Sequence, residues 1–106
     1  MTIDVDTPLH ETVKALAEPV RWRIVELLAA EELCVCHLVE ELEIPQPLVS
    51  HHLKVLRDAG LVDSERFRYW TYYRLRTEPF EAVGRALTTI VEDATHTDAE
   101  RRRPCC

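Results

Sequence analysis

Glycine is nearly absent from this chain: two occur in 106 residues. A phosphate-cradling loop needs several glycines at fixed spacing, so a mononucleotide or dinucleotide fingerprint is excluded. No serine, cysteine or threonine stands in a recognisable nucleophile–base pattern, and catalysis is not expected. No apolar run approaches the roughly 20 residues that span a bilayer. The first six residues, Met-Thr-Ile-Asp-Val-Asp, lack the basic start and apolar stretch of a signal peptide, which points to the cytoplasm. No internal repeat and no interdomain linker interrupts the chain. Its length allows one hydrophobic core, not two.

Positive charge also looks scarce, with a net of −6. Its distribution is uneven. Residues 1–44 carry a net of −7, residues 45–76 a net of +3 and residues 77–106 a net of −2. The basic middle consists of Lys54, Arg57, Arg66, Arg68, Arg74 and Arg76 set against Asp58, Asp63 and Glu65. A local basic face on an acidic protein is compatible with nucleic-acid binding.

Residues 33–60 explain where that face comes from. Val35, Leu38, Val39 and Leu42 repeat at i, i+3, i+4, i+7 and predict a helix over 35–42. A second helix runs from about Gln46 to Ala59, with Val49, Leu53 and Leu56 inward and Pro47, Ser50, His51, Lys54 and Arg57 outward. His52 falls on the inner side and reads as a packed, hydrogen-bonded histidine. Gly60 supplies the left-handed residue that ends the helix. The corner Glu43-Ile44-Pro45 is too short for anything but a sharp turn, and two short helices so joined make a helix-turn-helix.

The flanks complete the fold. Thr7-Pro8 caps a first helix with Leu9, Val13, Leu16 and Ala17 in a stripe. Glu18-Pro19 restarts the chain in a new direction, with Trp22, Val25, Leu28 and Ala29 spaced for burial and Arg21, Arg23 and Glu26 left wet. Beyond Gly60 the period changes from 3.6 to 2. Residues 61–67 and 69–75 predict a hairpin, unusual in having no glycine at its tip near Phe67-Arg68-Tyr69. A last helix from about Glu78-Pro79 carries Phe80, Val83, Leu87, Ile90, Val91 and Ala94, a stripe wider than so small a core requires. With Leu9 and Val13 it predicts a two-fold interface between copies. The expected fold is mainly α with a β-hairpin wing, a winged helix-turn-helix in the order α-α-α-α-β-β-α. It should occupy residues 1–94, followed by a flexible, cysteine-ended tail over 95–106.

Four cysteines in a reducing compartment favour metal binding or redox chemistry over structural disulfides. Cys34 and Cys36 lie about 200° apart around an ideal helix. They can grip one ion only if Cys34 precedes the first helical turn, or if that turn opens. Soft thiolates select thiophilic ions over magnesium or calcium. The plainer alternative is that both are small buried hydrophobes. Cys105 and Cys106 either supply a further thiolate, form a separate pair, or merely end the chain, and the neighbouring Arg101–Arg103 run is ordinarily just solvated. His37 is a nitrogen ligand or a surface histidine. In the last helix Asp93, with His96 just beyond, is too little for a zinc site.

The chain resembles the ArsR/SmtB family of metal-sensing repressors, most closely the arsenical-resistance operon repressors. The resemblance runs from residue 9 to about 94. It is carried by Leu16-Ala17-Glu18-Pro19-Val20-Arg21-Trp22-Arg23-Ile24-Val25, by Glu32-Leu33-Cys34-Val35-Cys36-His37-Leu38 as a thiolate metal box, by Gln46-Pro47-Leu48-Val49-Ser50-His51-His52-Leu53 as a recognition helix, and by Tyr72-Tyr73-Arg74-Leu75 at the end of the wing. Departures are His37 where the arsenic-type box carries aspartate, Val39 where it carries a third cysteine, Pro45 in place of a capping serine, and Arg68 in place of a wing glycine.

The resemblance implies a homodimer, paired through its first and last helices, that binds double-stranded operator DNA and releases it on metal binding. The inducer would be As(III) or Sb(III), alternatively Cd(II), Pb(II) or Zn(II), held by Cys34 and Cys36 and by Cys105 and Cys106 if the tail closes the site. The outward residues Gln46, Ser50 and His51 would meet base edges, and Lys54, Arg57, Arg66 and Arg68 phosphates. Two competing readings share these residues. One is a thiol redox switch on the same fold; the other is a metal-trafficking or arsenate-reductase accessory protein that does not bind DNA.

Overall fold

A computed structural model describes residues 7–95 and 103–104. Its elements are α1 (Pro8–Leu16), α2 (Pro19–Ala30), β1 (Leu33–Cys34), α3 (Val35–Leu42), α4 (Gln46–Asp58), β2 (Val62–Phe67), β3 (Trp70–Leu75) and α5 (Thr77–Ala94). This is the winged helix-turn-helix expected from periodicity, with one addition. Strand β1 pairs antiparallel with β3, giving a three-stranded sheet in the order β1-β3-β2. Two residues are too few to show alternation, so this strand left no period to read.

Local chemistry sets the helix ends. Thr7 is extended and its hydroxyl accepts the His10 N–H at 3.3 Å, ahead of Pro8 in the first turn of α1. Glu18 does the same for α2, accepting the Arg21 N–H at 2.8 Å ahead of Pro19. Pro45 offers α4 no side-chain cap. Its carbonyl instead accepts the Leu48 and Val49 N–H groups at 3.0 and 3.2 Å. At the far end Gly60 adopts φ 78°. There Gly60 N–H bonds to the Arg57 carbonyl and Leu61 N–H to the Leu56 carbonyl, both at 2.9 Å. That is a Schellman closure, and it turns the chain directly into β2.

The core lies between α2 and the helix-turn-helix, closed by β1 and the start of β2. Ile24, Val25 and Leu28 of α2 meet Leu33, Leu38, Val49, Leu53, Leu56, Leu61 and Val62, with Ala15 of α1 at the edge. Each fully buried aliphatic side chain here contributes about 1.5–3 kcal/mol of transfer free energy.

Helix α2 differs from expectation. Trp22 is 52% exposed and Ala29 is also exposed, while Ile24 is fully buried. Arg21, expected to stay wet, is half-buried. Apolar residues occur nearly all round this helix, so more than one i, i+3, i+4, i+7 set is available. Packing against α4 selects the set containing Ile24, Val25 and Leu28. In α1 the buried positions are Thr12 and Ala15, and Val13 of the expected stripe is 48% exposed.

The hairpin pairs Val62 with Leu75 through to Phe67 with Trp70, which leaves Arg68-Tyr69 as a two-residue turn. Arg68 adopts φ 59°. A side chain in that left-handed conformation costs about 1–2 kcal/mol relative to glycine. Helix α5 packs against α1 but buries no residue completely.

Candidate DNA-reading face and thiol pair

Helix α4 divides its residues cleanly. Val49, His52, Leu53 and Leu56 are buried. Gln46, Ser50, His51, Lys54 and Arg57 are all exposed. Positions 46, 50, 54 and 57 follow i, i+4, i+8, i+11, one continuous stripe along the helix. His51 lies beside Ser50.

On the wing, Arg66 and Arg68 are exposed, and Arg66 Nε donates to the Arg68 carbonyl at 3.4 Å. The Arg68 guanidinium carbon lies 5.5 Å from the centroid of the Phe67 ring. Arg74 behaves differently. It donates to Asp63 at 2.6 Å and Glu65 at 2.8 Å. The hydrogen bond to Asp63, with both carboxylate charges behind it, holds the Arg74 pKa above its ordinary value. Its charge is matched within the hairpin, so among the described residues the wing's positive charge without an acidic partner rests on Arg66 and Arg68. The aromatics beside them are exposed as well, Phe67, Tyr69 and Trp70 at 61%, 86% and 53%, which a period-two strand pattern alone does not foretell.

Cys34 and Cys36 occupy unlike environments. Cys34 ends β1 opposite Tyr72 of β3, and it is also the N-cap of α3, with extended backbone at φ −91°, ψ 171°. It is buried, whereas Cys36 in the first turn is exposed. Cys34 therefore lies outside the regular helix, the first of the two routes by which the pair can converge. His37 folds back over this turn. Its Nδ1 accepts the Cys34 N–H at 3.1 Å and stands 3.3 Å from Cys34 Sγ. The His37 ring also faces Tyr72 at 6.4 Å between centroids. Among the described residues no three histidine, cysteine or carboxylate groups converge as a metal site. Cys105 and Cys106, like most of the expected tail, lie outside the described residues. Two thiols and one imidazole suit a soft or borderline ion, but a three-thiolate set would need a donor from elsewhere.

Behind α4, His52 is 7% exposed and hydrogen-bonded to Arg21, as its inward spacing predicts. Burial pushes its pKa down, with Arg21 and His51 acting in the same sense and Glu18 opposing them.

The sequence pattern described as bacterial regulatory protein, arsR family, matches residues 18–64, from the cap of α2 into β2. The arsenical resistance operon repressor of Staphylococcus xylosus is 35% identical over 82 residues, covering 77% of this chain and 79% of that protein. The chain belongs to the arsR family. Membership places it among transcriptional regulators rather than enzymes.

Other arsR-family relatives extend the comparison. The arsenic resistance transcriptional regulator ArsR1 of Pseudomonas putida is 44% identical over 80 residues, 74% of this chain and 62% of its own length. The transcriptional repressor SmtB of Mycobacterium tuberculosis is 51% identical over 65 residues, 61% of this chain and 48% of its own. The chain thus spans less than two thirds of both of these proteins. The solved structure of an ArsR-like regulator from Rhodococcus shares the fold, with a TM-score of 0.72 at 24% identity and 82% of each chain covered. Among the described residues no helix is long and apolar enough to cross a membrane.

Proposed function

We propose that this chain is a cytoplasmic, homodimeric repressor of a metalloid-resistance operon, displaced from its operator when As(III) or Sb(III) binds Cys34 and Cys36. The observation that carries the reading is the position of Cys34. One residue is at once the N-cap of α3 and the ladder partner of Tyr72 in the wing strand. A ligand that draws the buried Cys34 thiol toward Cys36 pulls on the first helix of the helix-turn-helix and on the wing together.

On DNA, Gln46, Ser50 and His51 approach base edges, while Lys54, Arg57, Arg66 and Arg68 sit on phosphates. Pairing occurs through the face formed by Leu9 and Val13 of α1 with Leu87, Ile90 and Val91 of α5. Two recognition helices related by a two-fold axis read an inverted repeat whose half-site centres lie about 10 bp, or a multiple of that, apart. Metal and DNA weaken each other's binding by the same factor. Moving the population from about 99% bound to about 1% requires the metalloid to prefer the released form by roughly 10⁴-fold, or about 5.5 kcal/mol. The third ligand is Cys105 or Cys106, His37, or water.

A second reading keeps the switch but changes the inducer. His37 Nδ1 at 3.3 Å from Cys34 Sγ adds a nitrogen donor, and a mixed nitrogen and sulfur set suits Zn(II), and with it Cd(II) or Pb(II). The test is release of a bound inverted-repeat duplex, titrated under strict reduction with arsenite, antimonite, cadmium, lead and zinc. Release by arsenite or antimonite at the lowest concentration supports the first reading, and release by a divalent ion the second. Release by oxidant alone identifies a redox switch. Failure to bind any duplex sinks the repressor reading and favours the accessory protein.

A further inference from the structure

Behind α4, polar groups of α1, α2 and α4 converge on the half-buried Arg21. Arg21 Nε donates to the Ala15 carbonyl, near the C-terminal end of α1, at 2.7 Å. Its Nη1 lies 3.3 Å from His52 Nδ1 on the inner side of α4. Glu18, whose carboxylate already caps α2 through the Arg21 N–H, stands 3.8 Å from the same Nδ1. Carbonyls in the last turn of a helix have no helical partner, so Arg21 satisfies one of those of α1. A guanidinium only donates, so His52 Nδ1 must accept, and the ring is neutral with its proton on Nε2.

We propose that Arg21 and His52 form a strap fixing the roll of α4 against the α1–α2 corner, which makes both of them positioning residues for operator reading. The inference rests on α4 being the DNA-reading helix. His51, the next residue, is on the exposed face, with its ring centroid 5.3 Å from that of His52. A small rotation of α4 therefore moves His51 and Ser50 relative to base edges, where recognition depends on geometry. Phosphate attraction depends mainly on charge and hardly changes.

The strap fails when His52 takes a proton. Nδ1 then no longer accepts, and a second cation faces Arg21. Glu18 offsets this in part. His51 on the same helix also disfavours the proton, and Glu11, Lys14 and Asp58 line, with Arg21, a cavity of about 340 Å³ between α1 and α4. Lysine could not replace Arg21, because a planar fork reaches two acceptors at once and an ammonium does not reproduce that geometry.

The experiment uses the full chain, a duplex that it selects from a random pool, and a scrambled duplex of equal composition. Arg21→Met should bind the selected duplex on the order of tenfold more weakly and the scrambled duplex about equally well, with an unchanged salt slope. His52→Asn keeps an acceptor at the Nδ1 position but does not titrate. It should match the wild type at pH 7.5, and the wild type should weaken about tenfold relative to it as falling pH protonates His52. Parallel pH profiles for wild type and His52→Asn, or equal losses on both duplexes in folded Arg21→Met, overturn the proposal. If no duplex is selected, the DNA-reading assignment itself fails. The strap then stands or falls on His52 ring-nitrogen shifts without DNA, which should titrate at higher pH in Arg21→Met than in the wild type.

Discussion

Helices α4 and α5 are both amphipathic, yet they end up in opposite conditions. The shorter α4 hides its apolar side within its own chain, burying Val49, Leu53 and Leu56, and turns a polar, basic face outward. The longer α5 buries no residue and exposes Leu87, Ile90 and Val91 at 56%, 62% and 60%. An apolar face left open on one helix, beside an exposed Val13 on its neighbour α1, calls for an apolar partner. A polar face backed by a finished core calls for a charged one. On the proposed reading, the contrast separates assembly from DNA reading on a single small domain.

The largest expected effects break that contrast from either side. Leu56→Ala removes a fully buried side chain of α4 and should destabilise the fold by about 2–5 kcal/mol, read by urea unfolding. Leu87→Glu should leave each subunit folded but give monomers in sedimentation, with operator affinity lower by about 100-fold because each half-site then binds separately. A native protein that is monomeric at micromolar concentration, yet binds the repeat tightly, would remove α5 from the interface.

A smaller effect sharpens the charged side. Arg68→Ala should weaken binding to all duplexes alike and reduce the salt slope by about one unit. Arg74→Ala, whose side chain is matched by Asp63 and Glu65, should leave that slope nearly unchanged. Equal slopes for wild type and Arg68→Ala would show that the wing does not touch phosphate.

Protonation probes the inner side of α4. The folded-state pKa of His52 lies below its ordinary 6.5. The native state therefore resists a proton that the unfolded chain accepts. Its contribution to stability is fully present above pH 6.5 and is lost as pH falls through the lower, folded value. His52→Asn should flatten that part of the stability profile between pH 7.5 and 5, measured by urea midpoints, and an unchanged profile would assign the acid loss to other groups.

The smallest effect concerns the corner between the two helices. Glu43 holds φ 54° at the end of α3. Glu43→Gly should stabilise by about 1 kcal/mol, since glycine adopts that conformation without strain. No gain in melting temperature would mean that the Glu43 side chain makes a compensating contact.

The sequence reveals most where periodicity and punctuation agree. The boundaries of α3 fall at Val35 and Leu42 as the apolar spacing requires, and Gly60 closes α4 where its left-handed preference says it should. It reveals least where one pattern admits several answers. In α2 the apolar residues ring the helix, so Trp22 looked as suited to the core as Ile24. Strand β1 is a tertiary event: Leu33 and Cys34 are extended because β3 offers them a ladder. For the same reason the sequence placed Cys34 and Cys36 together without revealing that one caps a helix inside the sheet while the other faces outward. Arg21 looked like a surface residue, because an acceptor on α4, some thirty positions away, is visible only after folding.

On the proposed reading, a thiophilic ion at Cys34 and Cys36 disconnects α3 and the wing from DNA. The most direct test is release of a bound operator duplex by arsenite, followed for the wild type, Cys34→Ser and Cys36→Ser under reduction. Both variants should bind the duplex as the wild type does and remain bound at arsenite concentrations that release it. Release of both variants at wild-type concentrations would place the sensor elsewhere in the chain and leave Cys34 only as a buried cap of α3.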